Sequence, residues 1–491
     1  MAESTTEKRM NDLLRKVDWR FLLRQREAPR LLDLSGGDLS EALGLVAKPV
    51  QDAADEVDVV LLGFPDKAGL KTARARLRDG GELVCLWQGR RPRGTQRARA
   101  LLEQAGFEDV HLYWPGPEHS RQPEFWLPLE APAAIEQVFS QRPVHSRRQG
   151  ASRLAWRLAA RFGAIAPLCA TARLPGPPAD PVGEGDGIGR ALPAPEPWLL
   201  LTGGSKSENK VVGLPFPPGR ESGLAAKFAR VERAETALDR EAEILRQLKD
   251  ERPSLTGAPW VRAGGERAGQ RVIVQDAMGG KLLSTGSGEA GFAEMAPKMT
   301  RWLIALAGES QAQPTSDWSQ RLLFDPLDRL ERELGEGLPA GLGERARRAL
   351  GELGELPLAW EHRDLGPWNV VLGEDGSPSV IDWEDAEPLG LPGLDLVYFL
   401  ATSSLLIEGA LDDTGDTERI VDGYRRLLDP QTARGKIVAT CVAEYREQLG
   451  IDEADFGRLR LLCWIVQALI AGGDYFVHLA DDELGRIEAG R

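Results

Sequence analysis

One stretch rich in proline and glycine divides this chain of 491 residues. Leu174 to Trp198 reads LPGPPADPVGEGDGIGRALPAPEPW and shows neither helical nor strand periodicity in its apolar residues. Such a composition buries too little apolar surface to offset the entropy lost on ordering, so it predicts a linker. We therefore expect an N-terminal domain over 1–174, a linker over 175–197 and a C-terminal domain over 198–491.

Charge is shared unevenly between the two parts. The formal net charge is −14, of which residues 1–195 carry +3 and residues 196–491 carry −17. A surface that acidic repels a phosphate backbone, so the balance argues against a general nucleic-acid binder. An ordinary solvated acidic surface is the simplest explanation of the excess.

Compartment signals are few. The start, MAESTTEKRM, lacks the apolar core of a secretory signal, and the apolar run from Leu461 to Ile470 is too short to span a bilayer. The four cysteines are scattered among apolar neighbours, which favours buried reduced thiols over disulfides or a metal site. They are Cys85, Cys169, Cys441 and Cys463. The sequence predicts a cytoplasmic protein without a transmembrane segment, and it does not indicate the oligomeric state.

The N-terminal part alternates short β-rich runs with helix-like segments. The runs cover 30–34, 57–63, 82–87 and 110–114, and the helix-like segments cover 67–77 and 95–105. This alternation predicts an α/β, Rossmann-like domain with a parallel, doubly wound sheet.

Three segments of this part resemble class I methyltransferases that bind S-adenosylmethionine. They are DLSGG from Asp33 to Gly37, LRDGGELVCLW from Leu77 to Trp87, and QAGFEDVHLYW from Gln104 to Trp114. The glycine motif is incomplete, and the interval from the first of these segments to Asp58 is too short for a full nucleotide-binding half. These departures favour a degenerate, non-catalytic domain, with an active methyltransferase as the alternative.

Residues 361–385 carry the chemistry of the C-terminal part. They read EHRDLGPWNVVLGEDGSPSVIDWED, in which His362, Arg363, Asp364 and Leu365 are followed after three residues by Asn369. This spacing matches the catalytic loop of kinases, where phosphoryl transfer needs a carboxylate aligned with the acceptor hydroxyl.

A predicted hairpin follows the loop. Short β-rich runs flank a turn over 373–378, and the second run ends at Asp382. A hairpin of that length brings Asn369 and Asp382 together, and such a pair suits the Mg²⁺ that neutralises phosphate oxygens.

The motif HRDLGPWN, followed by VIDWEDAEPLGLPGLDLVYFL, resembles the aminoglycoside phosphotransferase and choline kinase family. The resemblance covers about 197–480 and implies an α+β, two-lobed, protein-kinase-like fold, with a small lobe over about 198–280 and a large lobe over about 281–491. It implies that Asp364 is the catalytic base and that Asn369 and Asp382 hold Mg²⁺. His362 and Asp395 then support the catalytic loop.

The small lobe contains the predicted nucleotide contacts. Apolar runs at 198–202, 210–216 and 224–231 predict three antiparallel strands. In the third strand, Lys227 matches the family lysine that pairs with the α- and β-phosphates, with Arg230 or Lys210 as the fallback. Glu241 is the expected ion-pair partner on the following helix, and Glu243 is the alternative.

Two further nucleotide-binding elements are predicted with less specific motifs. Gly203, Gly204 and Ser205 follow a strand and form a candidate phosphate-covering loop. The segment RVIVQDAM resembles the strand and hinge that hold adenine, and Asp276 and Met278 are the candidate hinge residues. Helical segments should wall the acceptor pocket in the large lobe. These segments cover 293–307, 318–334 and 459–479.

The sequence thus predicts a kinase that uses ATP or GTP and Mg²⁺ to phosphorylate a hydroxyl of a small molecule. The acidic excess suits a cationic acceptor such as an aminosugar or amino alcohol. The Pro-Trp-Asn motif resembles proteins of surface-polysaccharide assembly and points to a sugar. The alternatives are methyl transfer by the N-terminal part and a non-catalytic, nucleotide-binding scaffold.

Overall fold

A computed structural model of the chain describes most of its residues. The described ranges are 5–23, 28–50, 55–87, 94–116, 122–140, 154–155, 157–159, 162, 169–177, 197–204, 209–216, 222–267, 270–285, 288–308 and 312–490. Most of the predicted linker and the predicted site residue Ser205 lie outside these ranges. The chain forms two compact units, the first of residues 1–242 and 260–279 and the second of residues 243–259 and 280–491.

The first unit is built on one twelve-stranded mixed sheet. Its strands are β1 (Arg30–Leu34), β2 (Lys48–Pro49), β3 (Val57–Leu62), β4 (Leu77–Leu86), β5 (Glu108–Gly116), β6 (Phe125–Pro128), β7 (Cys169–Arg173), β8 (Trp198–Leu201), β9 (Val211–Pro215), β10 (Leu224–Phe228), β11 (Val261–Arg267) and β12 (Gln270–Asp276). Their order across the sheet is β11-β12-β10-β9-β8-β6-β5-β7-β4-β3-β1-β2.

Pairing in this sheet changes character along its width. Strands β2, β1, β3 and β4 pair in parallel, whereas all pairs from β4 through β7, β5, β6 and β8 to β11 are antiparallel. The predicted parallel arrangement therefore holds for one end of the sheet only.

The sheet continues across the predicted boundary between the domains. Strand β6 pairs with β8, with Phe125 opposite Leu201 and Trp126 opposite Leu200. The strands of the expected Rossmann-like domain are therefore not a sheet of their own, because the outermost of them, β6, is hydrogen-bonded to β8. The compact units accordingly divide the chain at other positions than 174 and 198.

Both faces of this sheet are covered. One apolar cluster includes Leu83 and Leu112 on the sheet, together with Leu70 and Leu102 of two helices that cover it. The opposite cluster includes the turn of 3-10 helix at Asp18–Leu22, which packs against β10 and its neighbours. The helices of the first unit are α1 (Thr5–Arg15), α2 (Ser40–Val46), α3 (Lys67–Arg76), α4 (Thr95–Gln104) and α5 (Pro132–Ser140), and α6 (Glu232–Glu251) begins in it.

The second unit is mainly helical, with short strands beside the predicted catalytic loop. Its strands are β13 (Lys281–Leu282), β14 (Ala359–Glu361), β15 (Val370–Leu372), β16 (Pro378–Val380) and β17 (Glu387–Gly390). Its helices are α7 (Glu289–Gly308), a π-helical turn (Gln320–Phe324), α8 (Asp325–Leu334), α9 (Leu342–Leu350), α10 (Leu394–Ile407), α11 (Thr417–Leu428), α12 (Ala433–Leu449), α13 (Glu453–Ile470) and α14 (Asp474–Glu488).

One predicted helix of this unit is two helices. The apolar pattern predicts a continuous helix over 459–479, but α13 ends at Ile470 and α14 begins at Asp474. Gly472 between them has a φ of +73°, a left-handed conformation that ends a helix and that glycine adopts without strain. The break matters for the site, because it brings Tyr475 to the first turn of a new helix.

Two predictions about the whole chain can be compared directly with the structure. All four cysteines are buried and free, as predicted, and burial raises the pKa of the Cys85 thiol. Among the described residues, no helix combines the length and the apolar character of a membrane span.

Candidate active site

The catalytic-loop candidates of the second unit lie on the turn between β14 and β15. The side-chain nitrogen of Asn369 donates to the Asp364 carboxylate at 2.8 Å and to the Asp364 backbone carbonyl at 2.9 Å. The Gly366 amide donates to the same carbonyl at 2.9 Å, and the Asn369 amide donates to the Gly366 carbonyl at 3.0 Å. The loop is thus a tight turn that holds a carboxylate and a carboxamide against each other.

The hairpin after the loop places a second acidic residue directly after the position that pairs with Asn369. Val370 of β15 pairs with Val380 of β16, and the Ile381 amide donates to the Asn369 carbonyl at 3.0 Å. Asp382 follows immediately, with a φ of 62° that is uncommon for a residue with a side chain. In this register Asp382 lies one residue beyond the backbone hydrogen bond that joins Ile381 to Asn369.

Asp395, at the start of α10, fixes the backbone of the loop. Its carboxylate accepts hydrogen bonds from the amides of His362 at 2.6 Å and Arg363 at 2.8 Å. Burial raises the pKa of Asp395 to about 7, against the opposing effect of those two amide donors. Arg363 has a φ of 69°, and Gln467 of α13 donates to its carbonyl, so a strained residue is held from both sides.

The guanidinium of Arg363 forms ion pairs with two glutamates. It lies 3.0 Å from Glu361 and 3.7 Å from Glu387, and Glu387 also pairs with Arg321 at 3.1 Å. Burial raises the pKa of Glu361, and Arg363 opposes the rise. The arginine of the motif therefore anchors the loop to β14 and β17 through carboxylates of the chain itself.

His362 and Trp383 connect the loop to the end of the hairpin. The Nε2 atom of His362 is 2.9 Å from the Ile381 carbonyl, and its ring contacts the Trp383 ring edge to face at 4.8 Å. The Trp383 indole is fully buried and donates to the Val380 carbonyl at 2.9 Å. The two side chains therefore join the loop to the end of the hairpin.

The surroundings of Asp364 perturb its ionisation. Burial raises the pKa of Asp364 to about 6, and the negative charges of Asp385 and Asp382 add to the rise, while the hydrogen bond from Asn369 opposes it. A carboxylate of this kind is ionised at neutral pH and is a stronger base than an exposed aspartate.

Aromatic side chains complete these surroundings. Burial and the charge of Asp364 raise the pKa of Tyr475 to about 12, and the same two causes raise that of Tyr398. The rings of Trp368 and Tyr398 are 6.1 Å apart, edge to face. Neither Asp385 nor the two tyrosines belong to the motifs that predict the site. Asp385 stands three residues after Asp382, which is a local signal, but Tyr475 has no spacing relation to the loop.

The donor set at Asn369 and Asp382 fits a magnesium ion. The carboxamide nitrogen of Asn369 points to Asp364, which leaves its oxygen for a cation, and carboxamide and carboxylate oxygens suit a hard cation. In the described part of the chain, no three His, Cys, Asp or Glu side chains could hold a metal ion alone. Magnesium rarely needs such a cage, because it keeps water ligands and binds substrate phosphates.

The predicted phosphate-binding lysine lies in the first unit, inside strand β10. The Lys227 ammonium contacts the Glu241 carboxylate of α6 at 2.6 Å, and the two side chains are 5% and 1% exposed. Glu243 is exposed on the same helix, so Glu241 is the partner. Of the two fallback residues, Arg230 is buried against Asp18, and Lys210 precedes β9.

The other predicted nucleotide contacts of this unit differ in how far the fold uses them. Gly203 and Gly204 follow β8, and at Gly204 (φ +86°) a β-carbon would come within 2.5 Å of the Asn209 side chain. The Asp276 carboxylate is taken by Arg262 at 2.6 and 2.9 Å, and its amide donates to Trp260 at 3.0 Å. Met278 is half-buried.

Comparison with known proteins identifies part of the chain. Residues 218–429 match the model of the phosphotransferase enzyme family. The prediction of a phosphotransferase is thereby confirmed, and the phosphotransferase region contains Lys227, Asp364, Asn369 and Asp382.

Solved structures and curated sequences add little detail. An aminoglycoside-3'-phosphotransferase of type VIII is 20% identical, with 55% of this chain and 93% of that chain covered and a TM-score of 0.36. Choline kinase LicA from Streptococcus pneumoniae is 17% identical, with 58% and 92% covered and a TM-score of 0.37. Aminoglycoside phosphotransferase APH(4)-Ia, in complex with ADP and hygromycin B, is 14% identical, with 60% and 92% covered and a TM-score of 0.38. No curated protein matches the chain. These proteins do not determine what the phosphotransferase region phosphorylates.

Proposed function

We propose that the protein transfers the γ-phosphoryl group of ATP or GTP to a hydroxyl of a small molecule. The observation that carries the proposal is the hydrogen bond of Asn369 to Asp364, on a loop whose hairpin leads directly to Asp382. Phosphoryl transfer needs such a carboxylate beside oxygen ligands for a cation.

In this proposal Asp364 is the base. The acceptor oxygen forms a bond to the γ-phosphorus, the bond from that phosphorus to the β–γ bridging oxygen breaks, and the hydroxyl proton passes to the Asp364 carboxylate. The products are the phosphorylated acceptor and a nucleoside diphosphate. Support comes from the pKa of Asp364 near 6, because a base of that strength is ionised at neutral pH and still accepts a proton in the transition state.

Asn369 and Asp382 would hold Mg²⁺ through the carboxamide oxygen and the carboxylate. When bound, the ion neutralises charge on the phosphate oxygens. Asn369 has a second task in this proposal, since its nitrogen orients the base. One side chain then fixes the relative position of base and cation.

We assign the contact with the α- and β-phosphates to Lys227, which Glu241 orients. Its ion pair at 2.6 Å supports this, because a lysine buried in an apolar strand is stable only with a partner. Gly203, Gly204 and Ser205 would cover the phosphates. Of the two hinge candidates Met278 is favoured over Asp276, whose carboxylate and amide both bind within the protein.

The acceptor class is a sugar, an aminosugar or an amino alcohol. Support comes from the acidic and aromatic side chains around the base, since Asp385 and the tyrosine hydroxyls suit hydroxyl and ammonium groups. A role in surface-polysaccharide metabolism fits a sugar acceptor.

The test has two stages. Thermal unfolding with Mg²⁺ and either ATP or GTP identifies the donor nucleotide, and a phosphate-transfer screen over sugars, aminosugars and amino alcohols identifies the acceptor. Asp364→Asn should abolish transfer while Glu374→Gln, an exposed acid in the turn of the same hairpin, keeps it. Full transfer by Asp364→Asn overturns the mechanism. Stabilisation by nucleotide without transfer to any acceptor favours the non-catalytic scaffold.

We further propose that residues 1–174 are a degenerate methyltransferase-like region without methyl transfer. Support comes from antiparallel β7 between β4 and β5, beside the parallel strands β1 to β4, and from the turn after β1. In that turn the Ser35 amide donates to the Asp33 carboxylate at 2.8 Å, and the Gly37 amide donates to the Ser35 hydroxyl at 3.2 Å. These two backbone amides therefore form hydrogen bonds within the turn and are not available to a ligand. Calorimetry of the full chain with S-adenosylmethionine should give no heat; saturable binding favours the active alternative.

A further inference from the structure

Four segments of the first unit meet at the buried guanidinium of Arg230. Its side chain is 0% exposed, and it donates to both carboxylate oxygens of Asp18, at 3.1 and 2.9 Å. It also donates to the Asn11 side chain at 3.2 Å and to the Thr202 carbonyl at 3.3 Å. Asp18 and Asn11 lie near the N-terminus, so this cluster joins the start of the chain to a strand more than 200 residues later.

Two of these partners border the proposed nucleotide contacts. Arg230 comes three residues after Lys227, just past the end of β10, and Thr202 immediately precedes Gly203. Two further hydrogen bonds hold Thr202. Its backbone amide donates to the Glu124 carbonyl at 2.7 Å, and its hydroxyl donates to the Pro123 carbonyl at 2.6 Å. The guanidinium therefore ties the root of the glycine turn to the strand that carries the lysine.

The same N-terminal segment covers the back of that strand. Phe21 contacts Phe228 at 5.2 Å between ring centroids, and Phe228 contacts Trp198 at 6.0 Å. Successive residues of a strand point to opposite faces, so this contact lies on the face opposite to Lys227. The segment therefore holds β10 by packing as well as by charge.

A buried ion pair is a poor source of stability. Apolar residues of similar volume in its place are often as stable or more stable, whereas removal of one partner leaves an uncompensated buried charge. Arg230 and Asp18 nevertheless satisfy each other through two hydrogen bonds, with further donors and acceptors around them. A directional pair of this kind fixes relative positions in a way that apolar packing does not.

We propose that the N-terminal segment 5–23 is a positioning element of the nucleotide site, in which the Asp18–Arg230 pair holds the Gly203–Gly204 turn in place relative to Lys227. The proposal rests on the proposed nucleotide-dependent function. Asp18 and Arg230 are positioning residues, since neither is assigned a contact with substrate.

The test separates positioning from stability with a double variant. Asp18→Leu combined with Arg230→Met replaces the pair by apolar side chains, but Arg20, which lies 3.3 Å from Asp18, then loses its partner as well, so a moderate fall of the thermal midpoint is expected. The dissociation constant for the magnesium complex of ATP or GTP, measured by calorimetry well below that midpoint, should rise roughly tenfold or more, because small displacements of binding groups weaken binding strongly. The KM for nucleotide should rise with it, with a smaller change in kcat.

Single variants and a control complete the design. Asp18→Asn leaves Arg230 without its counter-ion and should weaken nucleotide binding and lower the thermal midpoint together. Arg230→Lys keeps the charge and should retain part of the nucleotide affinity that the double variant loses. Arg9→Gln removes the exposed pair with Glu41 at 2.8 Å and should change neither quantity.

The outcomes distinguish this proposal from the one on which it rests. Wild-type protein that binds neither nucleotide overturns the proposed function. Wild-type protein that binds nucleotide, with a folded double variant that binds it equally well, overturns the positioning role alone. Where the double variant fails to fold, Arg230→Lys decides: unchanged nucleotide affinity in that variant overturns the positioning role, and weaker affinity at an unchanged midpoint supports it.

Discussion

Replacing Asp364 by asparagine is expected to stabilise the protein at neutral pH in metal-free buffer while abolishing phosphoryl transfer. The side chain is half-buried, and the charges of Asp385 and Asp382 repel its ionised form. Asparagine has nearly the same shape, accepts a hydrogen bond from Asn369 and carries no charge. The wild-type protein thus keeps a charge that burial disfavours, at the position where the mechanism needs a base.

The size of the effect follows from the pKa of this carboxyl. The pKa rises from 3.8 to about 6 on folding, and each unit corresponds to about 1.4 kcal/mol, so the ionised group destabilises the folded state by about 3 kcal/mol. The substitution also weakens the hydrogen bond from Asn369, which costs about 1 kcal/mol. The free energy of unfolding of Asp364→Asn should therefore exceed that of the wild type by about 2 kcal/mol at pH 7. The folded state holds the proton more tightly than the unfolded state, so the wild-type stability falls as the pH rises from about 4 to about 6. Below pH 4 the gap between wild type and variant should close.

Urea unfolding at pH 7 and at pH 4, with EDTA present and tryptophan fluorescence as the signal, measures this gap. Glu374→Gln is the matched control, because this acid is exposed in the turn of the same hairpin and should leave stability unchanged at both pH values. Native-state hydrogen exchange of 362–372 reports on the second unit by itself. A variant less stable than the wild type at pH 7, or an equal gap at both pH values, refutes the reasoning.

Three further substitutions are informative. Glu241→Gln leaves the buried lysine without its counter-ion and should lower the free energy of unfolding by about 3 kcal/mol and raise the KM for nucleotide. Glu243→Gln changes an exposed glutamate two residues further along the same helix and should do neither. Equal effects of the two substitutions would contradict the pairing of Lys227 with Glu241. Asp395→Ala removes the acceptor of two buried amides and should cost about 2 to 4 kcal/mol in chemical unfolding and most of kcat, so a variant with wild-type kcat contradicts its bracing position. Gly204→Ala places a β-carbon against Asn209 at a positive φ and should weaken nucleotide binding in calorimetry, and unchanged affinity would show that this turn does not contact the phosphates.

Local pattern was enough for the elements that carry the chemistry. The order of Asp364, Asn369 and Asp382 predicts a loop and a hairpin, and the structure has both, because the hydrogen bonds that form them join residues fewer than twenty positions apart. Lys227 in an apolar strand and Glu241 on the helix after it are likewise close in sequence.

Such local patterns do not predict which strands pair at the edges of a sheet. The proline- and glycine-rich stretch from Leu174 to Trp198 predicts two separate parts, and its composition contains no information about which strands pair on either side of it. The pairing of β6 with β8 joins both parts into one sheet. Whether an edge strand accepts another strand depends on the geometry of the whole sheet, since its free amides and carbonyls look the same in any sequence.

The sequence by itself determined the reaction class, because the acid, the carboxamide and the second acid stand at spacings that the backbone of one loop and one hairpin makes contiguous. Only the tertiary structure decided what surrounds them. Arg230 meets Asp18 across 212 positions, and Gln467 reaches the Arg363 carbonyl across 104. Tyr475 comes near Asp364 from a helix that a glycine turn separates from its predecessor. Contacts at such separations follow from how apolar faces pack and where buried charges find partners, and no periodicity along the chain records them.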